Sequence, residues 1–290
     1  MQAGFHFWNF TVPGAPLSLP AVLAETARTA EQGGFAQFTV MDHWFQMEAA
    51  APATEPMLEA FTTLGFLAGQ TSSIRLGPLV AGVTYRYPAL LAKIVTTLDV
   101  LSSGRAMLGI GAAWYDREHR GLGVPYPAIS ERFERLEEAL QIALQMWSDD
   151  DGPYRGTHFQ LDETLNSPPS IQRPHPPIMI GGKGEKKTLR MVAQYAQILN
   201  LTTADPAEVA RLLDVLRGHC DRLGTDYDAI EKTVISGARD PFSDDFLRDM
   251  EKLSDLGVTM VVLGRNPADP DPVGQVERIS GEVLPRLAAL

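Results

Sequence analysis

The chain of 290 residues carries a single cysteine, Cys220, and a formal net charge of −11 at pH 7. This length fits two small domains or one large α/β barrel, and the acidic balance argues against nucleic-acid binding, which needs a basic face. A lone cysteine rules out an intrachain disulfide, and neither a signal-peptide pattern nor a membrane-length apolar run is present, so we expect a cytoplasmic protein with no membrane partner.

Strand and helix patterns alternate along the first half of the chain. Predicted strands cover residues 4–9, 35–41, 74–83 and 105–110, and predicted helices cover 20–32, 57–70, 88–101 and 130–147. A glycine pair at 33–34 is typical of a helix end, and Pro88 is typical of a helix start. The last helix has the clearest pattern, because Phe133 and Leu136 begin an apolar face just after Ser130, a capping residue type.

Residues 148–176 interrupt this alternation with a polar, proline-rich insertion that contains a hairpin-like segment. The alternation then resumes, with predicted strands at 177–180, 198–201, 233–236 and 258–263 and predicted helices near 185–195, 206–223, 243–256 and 272–289. Strands alternating with helices in this number predict one (β/α)8 TIM barrel over residues 1–290. A doubly wound sheet is the alternative, but its dinucleotide fingerprint is incomplete because Trp114 stands where the third glycine belongs.

A glycine-rich turn, Gly181-Gly182-Lys183-Gly184, joins the fifth predicted strand to the next helix. Glycines let backbone N–H groups approach a ligand without Cβ clashes, and a helix N-terminus adds unpaired donors and the positive end of its dipole. We interpret the turn as a phosphate-binding site, with a tight turn that binds nothing as the alternative.

Other strand ends carry candidate residues, because the loops after the strands hold the chemistry of a TIM barrel. The first strand ends near Trp8, which could stack on a planar ring or simply pack. The second ends at Asp42-His43-Trp44, where an Asp-His pair can serve proton transfer near neutral pH or merely cap a turn. The fourth ends at Gly109-Ile110-Gly111-Ala112, whose small residues leave the backbone open to a ligand.

Several other kinds of site are not predicted. The six histidines are scattered and no Cys pair or His-x-x-Glu-His motif occurs, so we predict no metal. No Gly-x-Ser-x-Gly elbow occurs, which argues against a serine nucleophile. No lysine clearly ends a central strand in a Schiff-base position, which argues against an aldolase.

Certain segments occur together in one order: Met41 to Trp44, Leu76 to Val80, Tyr85 to Lys93, Leu101 to Arg105, Leu108 to Trp114, Glu118 to Gly123, Arg132 to Leu140 and Pro177 to Gly184. In that order they resemble the bacterial luciferase-like family, specifically its branch of oxidoreductases that depend on the deazaflavin coenzyme F420. The resemblance covers about residues 3–200, and the C-terminal third matches only in pattern. The ordered set is far more specific than any one motif.

The resemblance implies a TIM barrel, commonly a homodimer, with an isoalloxazine-type ring at the barrel mouth. It implies that Leu79 and Val80 form a bulge behind the ring, often with a non-proline cis peptide. It places Asp42 and His43 near the reactive carbon of the ring. The phosphate tail is implied to contact Gly109, Gly111, Ala112, Gly181, Gly182, Lys183 and Gly184.

One position departs from the family pattern. In the sugar-phosphate dehydrogenases of this branch a glutamate near the Trp114 position serves as an acid, whereas here Trp114 follows Ala112 and Ala113. This weakens the expectation of sugar-phosphate oxidation. With Trp8 and Trp44, Trp114 would instead give an apolar wall suited to a hydrophobic substrate, and a plain packing role is the alternative.

The resulting hypothesis is an oxidoreductase that transfers a hydride between reduced F420 and a small organic substrate. His43 would exchange the accompanying proton, oriented by Asp42. An FMN-dependent monooxygenase on the same barrel and a flavin-binding protein without turnover are the alternatives. A deazaflavin lacks the nitrogen needed for facile oxygen activation, so the first hypothesis is a reductase or dehydrogenase.

Overall fold

The computed structural model describes residues 1–290, with eleven strands and ten helices. The strands are β1 Gln2–Phe7, β2 Gln37–Val40, β3 Arg75–Pro78, β4 Ala81–Gly82, β5 Leu108–Gly111, β6 Tyr154–Arg155, β7 Gln160–Leu161, β8 Ile178–Gly181, β9 Ile198–Leu201, β10 Glu231–Ile235 and β11 Met260–Gly264. The helices are α1 Leu19–Gln32, α2 Ala60–Ala68, α3 Pro88–Leu101, α4 Asp116–Leu122, α5 Ile129–Met146, α6 Thr188–Tyr195, α7 Pro206–Leu223, α8 Asp244–Asp255, α9 Pro272–Glu282 and α10 Leu284–Ala288.

The main sheet is parallel and closes on itself. Its strand order is β3-β2-β1-β11-β10-β9-β8-β5-β4, so each strand lies beside the next barrel strand in the chain or at the closure. The closure runs through Leu76 of β3, whose N–H donates to the Arg105 carbonyl at 2.9 Å and whose carbonyl accepts from Met107 N–H at 2.9 Å. Because β3 and β4 are halves of one barrel strand, the predicted (β/α)8 barrel is confirmed. The hairpin β6–β7 lies in the predicted insertion before β8.

The third barrel strand is broken in its middle, contrary to the continuous strand predicted over residues 74–83. Leu79 and Val80 separate β3 from β4 and are joined by a non-proline cis peptide bond. Gly77 and Pro78 directly precede the break, and a proline within a strand pattern signals an interruption that the continuous prediction overlooked. The bulge expected from the family resemblance is therefore present.

The predicted helices are present, but several boundaries differ. The helix predicted over residues 57–70 spans Ala60–Ala68, the one near 185–195 begins at Thr188, and the one near 272–289 is divided into α9 and α10. The strong helix α5 begins at Ile129 after Ala128, so Ser130 lies inside the first turn and is not the cap. The short helix α4 lies in a segment for which no helix was predicted. Cys220 faces inward from α7 and is 1% exposed, which agrees with its predicted packing role.

The interior is one large apolar cluster of 62 buried residues. Phe38 contacts Phe5 and Phe7 inside the barrel, with ring centroids 5.7 and 6.1 Å apart. Such packed aromatic pairs fix the first two strands relative to each other. No helix combines the length and apolar character that a bilayer crossing requires.

Candidate active site

A cavity of about 390 Å³ opens at the carboxyl ends of the barrel strands. Its wall includes His43, Val80, Gly111, Trp114 and Gly181, which follow or end different strands. The barrel therefore brings together residues that lie far apart in the chain, such as His43 and Gly181. A mouth built in this way is where TIM barrels place their chemistry.

His43 is held by Glu118, a residue to which sequence analysis assigned no role. The His43 Nδ1 atom lies 2.7 Å from Oε1 of Glu118, whose carboxylate is completely buried. The other carboxylate oxygen accepts the backbone N–H groups of Trp44 at 2.7 Å and Phe45 at 3.2 Å. A carboxylate can only accept, so Nδ1 carries the proton and the second ring nitrogen, Nε2, has no protein partner.

Tyr85 completes this network by donating its hydroxyl to Oε1 of Glu118. Burial, followed by the neighbouring Glu118 carboxylate, raises the pKa of Tyr85, so its hydroxyl stays protonated. Burial alone would raise the pKa of Glu118, but hydrogen bonds from His43, Tyr85 and Trp44 hold that pKa below its ordinary value. The network is thus an ionised carboxylate with all its donors supplied by the protein.

The short helix α4 places Glu118 in this position. Glu118 and His119 are its buried residues, and Gly123 ends the helix in the left-handed conformation with φ 71°. His119 is fixed in turn, because its Nδ1 lies 2.7 Å from the Tyr115 carbonyl and its Nε2 lies 2.6 Å from the Thr84 hydroxyl. A rigid helix turn, rather than a loop, therefore holds the carboxylate against His43.

Asp42 does not orient His43, which corrects the sequence-based expectation. Its two carboxylate oxygens accept a bidentate pair from Arg86 at 2.8 and 2.9 Å, and one of them also accepts the Gly82 N–H at 3.1 Å. Arg86 continues to Glu59. Adjacency in the chain therefore does not pair Asp42 with His43, because Arg86 and the Gly82 N–H occupy its carboxylate. Asp42 lines the cavity and ties the broken third strand to β2.

The side chain of Val80 fills space that nearby glycines leave open. A Cβ on Gly111 or Gly181 would lie 3.1 Å from a Val80 methyl group. A Cβ on Gly109 would lie 2.0 Å from the Pro78 carbonyl oxygen. Leu79, Val80, Gly111 and Ala112 line the cavity, whereas Gly109 is required by strand packing and does not line it.

The glycine-rich turn after β8 has free donors. Gly182 has φ +127°, a conformation that side chains rarely adopt, and its N–H donates to the Asn200 carbonyl. The backbone N–H groups of residues 183–187 have no protein acceptor. Gly181 and Gly182 line the cavity, but Gly184 does not, and Lys183 extends to Glu208 at 2.9 Å. The turn therefore offers unpaired N–H groups just before α6, which is the arrangement that binds phosphate.

The three tryptophans that were predicted to form one apolar wall lie in different places. Trp114 lines the cavity, is 58% exposed, stacks on Tyr115, and lies edge-to-face with His43 at a ring-centroid distance of 5.4 Å. Trp8 lies in a second cavity beside the first, where its indole N–H donates to the Arg265 carbonyl at 2.8 Å. Trp44 lies outside both cavities and packs against Tyr85 and Arg86. Only Trp114 borders the His43 side of the mouth.

The features of this site can be compared with those of known proteins. The barrel, the bulge behind the cavity and the glycine turn are the features that the family resemblance implied. Residues 5–238 match the family described as luciferase-like monooxygenase. The chain belongs to this family.

Named relatives include an enzyme from Kineococcus radiotolerans, an F420-dependent glucose-6-phosphate dehydrogenase. It is 35% identical over 177 residues, which is 58% of this chain and 49% of the relative, so the match spans about half of that protein's length. An uncharacterized Mycobacterium tuberculosis protein is 29% identical over 90% of this chain and 93% of its own.

Solved structures share the fold at low identity. The F420-dependent tetrahydromethanopterin reductase of Methanopyrus kandleri superposes with a TM-score of 0.79 at 19% identity, covering 99% of each chain. The oxygenating component of a Pseudomonas putida diketocamphane monooxygenase, in complex with FMN, superposes with a TM-score of 0.74 at 17% identity, covering 98% of each chain. These likenesses confirm the barrel fold.

Proposed function

We propose that the protein is an oxidoreductase that transfers a hydride between coenzyme F420 and a small organic substrate. The observation that carries the proposal is the His43–Glu118 pair, in which His43 lines the same cavity as the Val80 bulge and the glycine turn while Glu118 holds it from behind. The F420-dependent name of the 35% identical relative favours F420 over FMN. The FMN-bound structure shares 17% identity and supports only the fold.

The residues present suit a flavin-type cofactor. The cavity has an apolar wall that includes Leu79, Val80 and Ile180, and the glycine turn contributes the unpaired N–H groups for a phosphate. When bound, a deazaflavin supplies the hydride chemistry. The protein supplies the position, the exclusion of water and the proton.

His43 is the residue that we assign to the proton. Glu118 fixes the proton on Nδ1, so the free Nε2 can accept a proton from a substrate hydroxyl as it is oxidised, or return one as a carbonyl is reduced. The imidazolium formed when Nε2 is protonated is stabilised by the Glu118 carboxylate 2.7 Å away. Glu118 acts through His43 and is a positioning residue.

Cofactor titration tests the proposal directly. We expect purified protein to bind F420 and to bind FMN much more weakly. Binding is measured by the quenching of tryptophan fluorescence. Tight FMN binding with no F420 binding would overturn the choice of cofactor. His43→Ala should keep the F420 affinity and lower turnover about 10²- to 10⁴-fold. Activity undiminished by that change would remove the proton role.

We also propose a homodimer, which the family resemblance implies. Helix α3 and Tyr87, the residue before it, expose large side chains: Tyr87 is 73% exposed, Leu90 62% and Leu101 64%. A surface of this kind is commonly covered by a partner. Light scattering of the full chain should give twice the monomer mass, and a monomer at micromolar concentration would contradict the proposal.

A further inference from the structure

The second cavity, about 550 Å³ in volume, lies beside the cavity that contains His43 and shares His6, Met47 and Ile235 with it; of these three, only His6 carries a ring nitrogen. It is formed by the loops after β10 and β11 together with Trp8 and Met47. We call it the side chamber. Because it adjoins the cavity that contains His43, a substrate in the side chamber would reach the junction at His6.

The hydrogen bonds of His6 define its tautomer. Its Nδ1 lies 2.9 Å from Oγ1 of Thr39, and that hydroxyl donates its single proton to the Phe5 carbonyl at 3.3 Å. A carbonyl can only accept, so both contacts are hydrogen bonds only if the hydroxyl donates to the carbonyl and Nδ1 donates to the hydroxyl; we assign His6 this tautomer. The second nitrogen, Nε2, is then an unprotonated acceptor, and no protein group donates to it.

His6 is also kept uncharged. It is 5% exposed, and burial lowers its pKa to about 4, with the nearby His43 acting in the same direction. At neutral pH the ring therefore cannot pair with an anion. What it offers to the junction of the two cavities is one lone pair.

Two of the three arginines that line the side chamber are paired with carboxylates, and the third is buried against neutral acceptors. Arg239 contacts Asp249 at 2.8 Å and Arg278 contacts Asp269. Arg265 is 1% exposed and donates to the Asn9 side chain at 2.8 Å, while its unpartnered Nε is sealed from solvent.

The side chamber also carries a negative charge, because the Asp240 carboxylate belongs to its wall. Two of the three arginines are therefore neutralised by carboxylates and the third is sealed from solvent, so the wall offers no exposed unpaired cation to a phosphate or a carboxylate.

We propose that His6 is a specificity-determining residue that accepts a hydrogen bond from the hydroxyl of an uncharged substrate held in the side chamber. That the ligand is a substrate rests on the proposed function. That it is uncharged and carries a hydroxyl rests on His6 and the walls of the side chamber. An uncharged ligand bearing a hydroxyl satisfies Nε2. A ketone of the same shape places its oxygen against the lone pair, and an anion meets no free cation.

Nuclear magnetic resonance of ¹⁵N-labelled protein without cofactor tests the first step. We expect the His6 ring at pH 7 to carry its proton on Nδ1, with Nε2 resonating as an unprotonated nitrogen, and to show no titration between pH 6 and pH 8. A proton on Nε2, or a charged ring at pH 7, overturns the proposal without any variant being needed.

Titration of the same protein with cyclohexanol, cyclohexanone and cyclohexanecarboxylate tests the ligand chemistry. We expect the alcohol to bind roughly three- to tenfold more tightly than the ketone, and to shift the His6 Nε2 resonance. The carboxylate should bind most weakly. Equal affinities for the alcohol and the ketone, or tightest binding of the carboxylate, overturn the proposal.

Variants assign the preference to His6. His6→Phe should abolish the preference for the alcohol, and His6→Gln, which retains an acceptor oxygen, should restore part of it. The control is His219→Phe, a change on the outer helix α7, which should leave the preference intact. A preference that persists in a folded His6→Phe protein overturns the proposal. Since no cofactor is used, failure here leaves the F420 proposal standing, and failure of F420 binding leaves this test valid.

Discussion

Two regions of the barrel mouth differ in how they are prepared for a ligand. In the corner formed by the loop after β2 and by α4, Glu118 accepts hydrogen bonds from His43, Tyr85, Trp44 and Phe45. In the glycine turn after β8, five successive backbone N–H groups, those of residues 183–187, have no protein acceptor. The hydrogen bonds of the first region are all supplied by the protein, whereas those of the second region await a ligand.

The difference reflects the chemistry assigned to each region. A proton-transfer group has to be oriented before substrate arrives, and a buried carboxylate is costly unless its hydrogen bonds are satisfied by the protein. A phosphate brings its own acceptors, so donors held at an exposed helix N-terminus can remain hydrated until it binds. The predictions below test this contrast.

The largest effect is expected at Glu118. Glu118→Gln keeps the shape of the side chain but lets an amide donate to Nδ1 of His43, which moves the ring proton to Nε2. We expect turnover to fall about 10²- to 10⁴-fold with F420 affinity unchanged. The ¹⁵N resonances of His43 should report the altered tautomer even without cofactor.

Tyr85→Phe is the matched control, because it removes one donor and leaves the carboxylate bonded to His43. We expect its turnover to fall about tenfold or less. Equal losses for Glu118→Gln and Tyr85→Phe, with an unchanged His43 tautomer, would show that Glu118 supports only the fold.

The pH dependence of this corner follows from the lowered pKa of Glu118. A carboxyl group whose folded pKa is depressed contributes stability above its unfolded pKa of about 4.3 and loses it as the pH falls through the folded value. We therefore expect thermal unfolding to show a loss of stability below about pH 4 that is smaller in Glu118→Gln. An identical acid profile in both proteins would mean that Glu118 is not ionised in the folded state.

These two regions also differ in how far sequence could predict them. The glycine turn is local, because strand, glycines and helix follow one another within Ile178 to Tyr195, and its phosphate interpretation came from that pattern. The barrel was predicted for the same reason, since each strand and helix carries its own periodicity.

The His43–Glu118 pair is not local. The two residues are 75 positions apart, and Glu118 stands among Asp116, Arg117 and Arg120, a pattern typical of a solvated surface. Only the fold reveals that one carboxylate of this charged segment is completely buried. Asp42 was predicted instead because it adjoins His43 in the chain, whereas its partner is Arg86, 44 positions away.

A smaller effect is expected at Gly182. Its φ of +127° strains any L side chain, so Gly182→Ala should distort the turn at a cost of about 1–3 kcal/mol. We expect weaker binding of F420, measured by fluorescence quenching. The affinity for the 8-hydroxy-5-deazaflavin without its phosphate tail should change little. Gly224→Ala is the control, since Gly224 also has positive φ, at +70°, but ends α7 far from the cavity. Equal weakening of both ligands would place the defect in the fold.

The smallest effect is expected at Lys183, and it separates backbone from side-chain contributions to the glycine turn. Lys183 is half exposed and paired with Glu208, so its charge is partly neutralised and screened by water. If the free N–H groups supply most of the phosphate binding, Lys183→Ala should weaken F420 binding only about two- to threefold, with a salt dependence close to that of the unchanged protein. A loss of about 30-fold or more would exceed what an exposed ion pair contributes and would assign the phosphate to the lysine side chain. Glu208→Gln distinguishes the two cases further, because releasing Lys183 from its partner should strengthen binding only if the ammonium group reaches the phosphate.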